Sequence, residues 1–303
     1  MSIKVKGLVK HYDEQKALDE VSFEVHPGEI VGFIGPNGAG KTTTMKILTG
    51  YIMPDAGEAR INDRPVQDDM LNIRRHVGYL PEHNPLYPEM YVIEYLEYVS
   101  GLYGLGKATR ERIRQVVELT GLDREKHKKI GALSKGYRQR TGLAQAIIHD
   151  PGVLILDEPT SGLDPNQIEE IRTMISRLGK EKTVLLSTHI MQEVEAICDR
   201  IIIINNGRIV ADDRMEQISS SLSQNKQTVM VEFDRPVDQA LLEQIAGVSR
   251  IREIGENKWL FESQTQEDIR QNIFQFAVNQ GLTVLSMQKK EKSLEEVFRE
   301  LTS

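Results

Sequence analysis

The chain has 303 residues, 39% of them apolar and 27% charged, and a formal net charge of −7. That length suits roughly two domains, each with its own core, and the acidic balance gives no support to nucleic-acid binding, so no nucleic-acid partner is expected. The longest aliphatic runs, 153–156 and 201–204, fall far short of the ~18 residues that would cross a membrane. The N-terminal stretch lacks a signal peptide's apolar centre, and the lone Cys198 excludes an internal disulfide, so a cytoplasmic location is expected.

In chain order, residues 2–10 and 19–25 read as strands, the second with Val21, Phe23 and Val25 alternating against Ser22 and Glu24. Tyr12 is expected in the loop between them, where its ring either packs or stacks on a base. Residues 29–34 form a short apolar run of the buried parallel kind. Directly after it, Gly35-Pro36-Asn37-Gly38-Ala39-Gly40-Lys41-Thr42 fits G-x-x-x-x-G-K-[ST] at every defined position, and 42–49 reads as a helix closed by Gly50. Glycines 35, 38 and 40 are expected to take positive φ, turning successive N–H groups into an anion nest at a helix N-terminus. There Lys41 would reach the β and γ phosphates of a nucleotide and the Thr42 hydroxyl would ligate Mg2+. The alternative is a glycine-rich turn opening an ordinary helix.

A strand at 57–61 and another at 77–81, followed by Glu82, lead into a helix-rich insert at about 84–148. Val92, Leu96, Val99 and Tyr103 recur at helical spacing, as do Ile113, Val116, Val117 and Thr120 before Gly121. Ser134 suits the N-cap of a helix running to about Ile148, and Gly136 would leave that N-terminus open to close approach; taken alone this is an ordinary capped helix. The run at 153–156 is a buried-strand pattern ending in Asp157 and Glu158, where one carboxylate can serve a hydrated metal and the other an attacking water. Asp164 caps a helix with Pro165 at its first position. A strand at 183–187 ends near His189, expected along the same sheet edge within reach of a γ-phosphate, although a lone histidine there is usually structural. Asn205-Asn206-Gly207 predicts a hairpin turn. Polar residues 219–227 then read as a linker, and 228–303 as strand, helix (237–246), two strands, helix, strand and a terminal helix, a ferredoxin-like α+β domain.

GPNGAGKT at 35, LSKGYRQR at 133, VLILDEPT at 153, SGLD at 161 and STH at 187, in that order, resemble the ATP-binding subunit of an ABC transporter over about residues 1–215. GYLPEHNPLY at 78 and LSKGYRQR look most like the gliding-motility-associated subunits of the ABC-2 exporter type, and the C-terminal extension looks like their accessory domain. The resemblance implies an α/β P-loop cassette at 1–218, with an antiparallel β subdomain and a helical subdomain, that binds ATP and Mg2+. It implies that Tyr12 stacks on adenine, and that Gly35, Asn37, Gly38, Ala39, Gly40, Lys41, Thr42 and Thr43 hold the phosphates. Asp157 and Glu82 would join Thr42 at the metal, Glu158 would act as general base, and His189 would contact the γ-phosphate. Ser134 and Gly136 would serve the nucleotide of a second copy in a head-to-tail homodimer. Such a dimer drives a separate transmembrane permease and is peripheral on the inner face of the membrane.

Two departures from the family pattern stand out: Glu82 where Gln is usual, and Lys135 and Tyr137 inside the 133–140 motif. A soluble ABC-type ATPase of DNA repair or translation is the alternative, but such chains commonly carry two cassettes or a long coiled coil, and this one has one phosphate loop and no sustained heptads. A GTPase or small-molecule kinase would leave the motif at 133 and His189 without a role, and no N-K-x-D motif is present.

Overall fold

The computed structural model describes residues 2–215, 217, 227–263, 265, 268–290 and 294–302. They divide into two compact units, one up to Arg214 and one from Met215. The division falls a few residues ahead of the expected boundary at 218. The expected linker lies outside the described residues except for Gln227, which already belongs to a strand.

The first unit opens with β1 (Ile3–Tyr12) and β2 (Gln15–Val25), an antiparallel pair joined through Asp13 at φ +51. Tyr12 is therefore the last residue of a strand and not part of a loop, because Tyr12 and Gln15 still pair across the turn. β3 (Ile30–Ile34) is buried at every position, as a strand covered on both faces must be, and α1 (Lys41–Leu48) follows it. The chain then returns through β4 (Ala56–Ile61) and β5 (Arg64–Pro65), completing an antiparallel sheet in the order β2-β1-β4-β5.

Next come α2 (Met70–His76), β6 (Val77–Leu80), α3 (Val92–Leu102), α4 (Thr109–Leu119) and α5 (Lys135–Ile147). The apolar residues at helical spacing in α3 and α4 are the buried ones, Val92, Leu96 and Val99, and Ile113, Val116 and Val117. The remaining elements are β7 (Val153–Asp157), α6 (Pro165–Gly179), β8 (Thr183–Thr188), α7 (Met191–Ile197), β9 (Arg200–Asn205) and β10 (Arg208–Arg214). The six-stranded central sheet runs β10-β9-β3-β8-β7-β6, parallel throughout except for the β9–β10 hairpin. Ile3, Val5 and Leu8 of the first sheet share one buried cluster with Phe33, Ile155 and Leu185 of the second, and the Phe23 and Phe33 rings meet at 5.3 Å. The helices α2 and α7 have no counterpart among the sequence expectations. Both span seven residues, too few turns for an apolar stripe to show.

The second unit comprises β11 (Gln227–Phe233), α8 (Gln239–Leu242), β12 (Arg250–Gly255), β13 (Lys258–Ser263), α9 (Arg270–Asn279), β14 (Val284–Lys290) and α10 (Leu294–Thr302). Its antiparallel sheet has the order β12-β13-β11-β14, the ferredoxin-like arrangement expected from the element order. Val229, Val231, Trp259 and Phe261 pack with Leu242, Ile273 and Ala277 from α8 and α9. The helix expected over 237–246 shortens to four residues. Asp238 caps it by accepting from Ala240 N–H, and beyond Leu242 the chain turns so that Ile245 enters the core ahead of Gly247 at φ +86. Among the described residues, no helix of the chain is long and apolar enough to cross a membrane.

Candidate active site

Parallel strands direct their C-terminal ends to one edge of a sheet, the edge where open α/β sheets bind ligands. β3, β7 and β8 sit side by side here, so Gly35–Lys41, Asp157 and Glu158, and His189 leave the sheet next to one another. They enclose a cleft of about 550 Å³ lined by Asn37, Gly38, Gly40, Lys41, Thr42, Thr43, Glu158 and His189, together with Tyr12, Glu82, Gln15, Ala17 and Ser161.

The loop's glycines have different reasons for being there. Gly40 caps α1 at φ +111, and a Cβ on it would lie 2.7 Å from the Ala17 carbonyl, so the close passage of β2 demands its absence. Gly38, at φ +80, has open space where a Cβ would point. Gly35 departs from the expectation. It is not among the positive-φ residues, and a Cβ there would stand 2.4 Å from the Ile204 carbonyl, so close packing on β9 is what requires it. Gly35 and Ala39 do not line the cleft, and the Ala39 N–H is bonded to the Pro36 carbonyl at 3.2 Å.

Lys41 is buried, and its Nζ donates to the carbonyls of Gly35 at 2.7 Å and Pro36 at 3.2 Å while lying 3.8 Å from Glu158 Oε1. Burial pulls the ammonium's pKa down, and the carboxylates of Glu158, Asp157 and Glu82 oppose that. Glu158 is 7% exposed and, unusually for a residue with a side chain, sits at φ +49. Its N–H donates to the carbonyl and hydroxyl of Ser187, both at 3.1 Å, which ties the turn after β7 to β8. Burial raises its carboxyl pKa; His189, then Lys41, offset the rise. The His189 ring touches the carboxylate through Nδ1, 2.9 Å from Oε2, so Nδ1–H is the donor, and its other nitrogen bonds to none of the described residues.

Asp157 is 1% exposed, accepts from the Ser187 hydroxyl through Oδ1, and has a buried Oδ2 with no hydrogen-bond partner among the described residues. An orphaned buried carboxylate oxygen is costly, and a hydrated divalent cation would satisfy it. With Thr42 and Glu82 lining the cleft, the donors present are all hard oxygens, which fit Mg2+. Among the described residues there is no group of three or more His, Cys, Asp or Glu that could hold a metal ion.

Ser134 and Gly136 do not line this cleft. Ser134 caps α5, its hydroxyl accepting from Tyr137 N–H at 3.4 Å. Gly136 is buried, and a Cβ on it would stand 2.6 Å from the end of the Gln167 side chain, so α6 of the same chain packs against it. Lys135 lies over Gly162, where an added Cβ would collide with its Nζ. Sequence reasoning missed Gln15, Ala17 and the double anchor at Ser187. For Ser187 the signal was its place in the motif at 187; for the other two only strand register brings them to the loop.

With that geometry in place, comparison with known proteins is informative. Residues 18–161 match the family described as ABC transporter, and 215–302 match the family described as ATP-binding protein DrrA1-3-like, C-terminal domain. The chain is 36% identical over 299 residues to the uncharacterized ABC transporter ATP-binding protein YxlF of Bacillus subtilis (strain 168), covering 98% of each chain. It is 39% identical over 218 residues to Nod factor export ATP-binding protein I of Ralstonia nicotianae, covering 71% of this chain and 68% of that one. A solved ATP-binding subunit of an ABC transporter superposes with a TM-score of 0.68 at 34% identity over 74% of this chain and 94% of its own. The ATP-binding cassette MJ0796, in a dimeric post-hydrolysis state bound to ADP and Pi, gives 0.65 at 27% identity over 70% and 98%.

Proposed function

This chain belongs to the ATP-binding subunits of ABC transporters and hydrolyses ATP to power transport; from that premise we propose that the cleft described above is its nucleotide site, with Glu158 as general base. What carries the reading is the meeting of Lys41, Asp157, Glu158 and His189 at the ends of three adjacent strands. Glu158 suits the role because burial makes its carboxylate more basic than a free one. The His189 Nδ1–H holds that carboxylate in one orientation, and the ring's free nitrogen is left for a γ-phosphate. Lys41, now held by two loop carbonyls, gains more from an anionic phosphate than from neutral acceptors. Tyr12, which lines the cleft and is 45% exposed, offers a ring face for adenine.

Mg2+, held by Thr42, Asp157 and Glu82, would neutralise phosphate charge. Glu82 replaces the usual amide with a hard anionic ligand, which suits a metal better than it suits phosphate itself.

Ser134 and Gly136, at the α5 N-terminus away from the cleft, would serve the nucleotide of a second copy; the dimeric state of a similar cassette supports this. Exposed Tyr87, Tyr91, Tyr98 and Leu102 on and before α3 offer an apolar surface for a separate permease, which would hold the chain at the inner face of the membrane. Relatives named for Nod factor export favour export. The narrower gliding-motility-associated subgroup rests on the motifs at 78–87 and 133–140 alone.

Glu158→Gln tests the reading. The variant is expected to bind ATP, to hydrolyse it at least about 100-fold more slowly, and to elute as a dimer only when ATP is present. A monomer in saturating ATP would sink the two-site arrangement.

A further inference from the structure

One buried side-chain bridge lies outside the chemistry above. Gln139 of α5 is 7% exposed; its Nε2 donates to the carbonyl of Pro159 at 2.8 Å, and its Oε1 accepts from Asn84 Nδ2, also at 2.8 Å. Both ends of the amide are used, and each leads to the active site. Pro159 directly follows Glu158, and Asn84 stands two residues after Glu82. Gly142, one turn along α5, makes room for the bridge, because a Cβ there would lie 2.6 Å from Asn84 Oδ1.

The same helix begins at Ser134, five residues before Gln139 and so about 7.5 Å away along the axis. α5 is also fastened to α6 by the Arg140–Glu170 ion pair and by the packing of Gly136 on Gln167. A displacement of the α5 N-terminus therefore reaches residues 159–170 through rigid contacts. Glu158 sits at the upstream end of that segment in a positive-φ conformation, which persists only while its neighbours hold it.

We propose that Gln139 is a positioning residue that links Ser134's helix and the loop after Glu82 to the backbone of Glu158, so that a nucleotide bound at Ser134 helps set Glu158 of the same chain in place. The inference rests on the two-site reading, in which that nucleotide belongs to the other copy. It makes hydrolysis at one site depend on occupancy of the other, a coupling carried by a named hydrogen-bonded bridge.

Gln139→Glu is the direct test, since it keeps the volume and the acceptor for Asn84 but, when ionised, cannot donate to Pro159. Three quantities are measured on the full chain: affinity for a fluorescent ATP analogue, kcat, and the Hill coefficient of ATPase activity. We expect affinity to stay within about twofold, while kcat falls about tenfold or more, as for a slightly misplaced catalytic group, and the Hill coefficient moves toward 1. Asn84→Ala should lower kcat less, and the double variant should fall short of the product of the two effects, as for one shared bridge. Unchanged kcat and Hill coefficient overturn the proposal. So does a parallel loss of affinity and melting temperature, which would make Gln139 a packing residue. A Glu158→Gln chain that stays monomeric with ATP overturns the two-site reading first, so the two failures are told apart.

Discussion

His149 lies outside the cleft, yet its surroundings contribute to how the molecule responds to acid. Its ring stacks on Tyr103 at 3.8 Å with 3° between the planes; Nε2 lies 3.2 Å from the Val77 carbonyl, so that nitrogen carries the proton, and Nδ1 is buried with no partner among the described residues. Protonating Nδ1 would bury a charge, and burial accordingly pulls the pKa down from 6.5 to about 4. A depressed histidine pKa means that the unfolded chain binds the extra proton first. The stability it contributes is full above 6.5 and is lost as pH falls towards 4, up to about 3 kcal/mol. Melting temperature measured from pH 7 to 4 should drop for the native chain and flatten over that window in His149→Phe, which keeps the stacked ring. Nothing in the spacing of His149 announced this, whereas the loop that brings Lys41 and Thr42 to the cleft was legible because a phosphate loop is a local backbone device. Gly35 shows where local reasoning stopped. Its need comes from Ile204 on β9, 169 residues on in sequence.

At the scale of elements, α7 is short and was not foreseen, but it carries Glu193, a buried carboxylate that accepts from the hydroxyls of Thr160 and Thr188. It thereby joins the turn after Glu158 to the end of β8 just before His189, two segments that must stay in register for the Glu158–His189 contact. Glu193→Ala leaves two buried hydroxyls short of an acceptor and should cost about 2 kcal/mol. For a domain of this size that is a melting temperature roughly 5 °C lower. ATPase activity should fall alongside it even at temperatures where the variant is folded, a split that calorimetry and a rate assay at 20 °C would reveal. Longer elements declared themselves earlier. α6 carries Asp164 as its cap, with Oδ1 accepting from Gln167 N–H at 3.0 Å, then Pro165 and buried Ile171, Ile175 and Leu178 on one face. By contrast, α8 kept only one turn of its expected length because Ile245 is drawn into the core.

On the scale of the whole molecule, each unit has its own buried cluster, one built on Phe33, Ile155 and Leu185 and the other on Phe233, Trp259 and Phe261. Every residue lining the cleft belongs to the first unit. A chain ending at Arg214 should therefore fold, bind ATP with unchanged affinity and, with Glu158→Gln, still dimerise on ATP. Loss of ATP binding on truncation would show that the first unit depends on the second.

The order of motifs, the phosphate loop, the carboxylate pair and the βαββαβ pattern of the second unit were determined by sequence alone, because each rests on contacts between residues close in the chain. Only the tertiary structure decided that Gln139 reaches Pro159, that Ser187 anchors both carboxylate residues, and that Asp157 Oδ2 is buried with no hydrogen-bond partner among the described residues. Those facts depend on which strands lie side by side and on which side chains are shut away from water, and burial of a polar atom is a property that no local pattern of residues encodes.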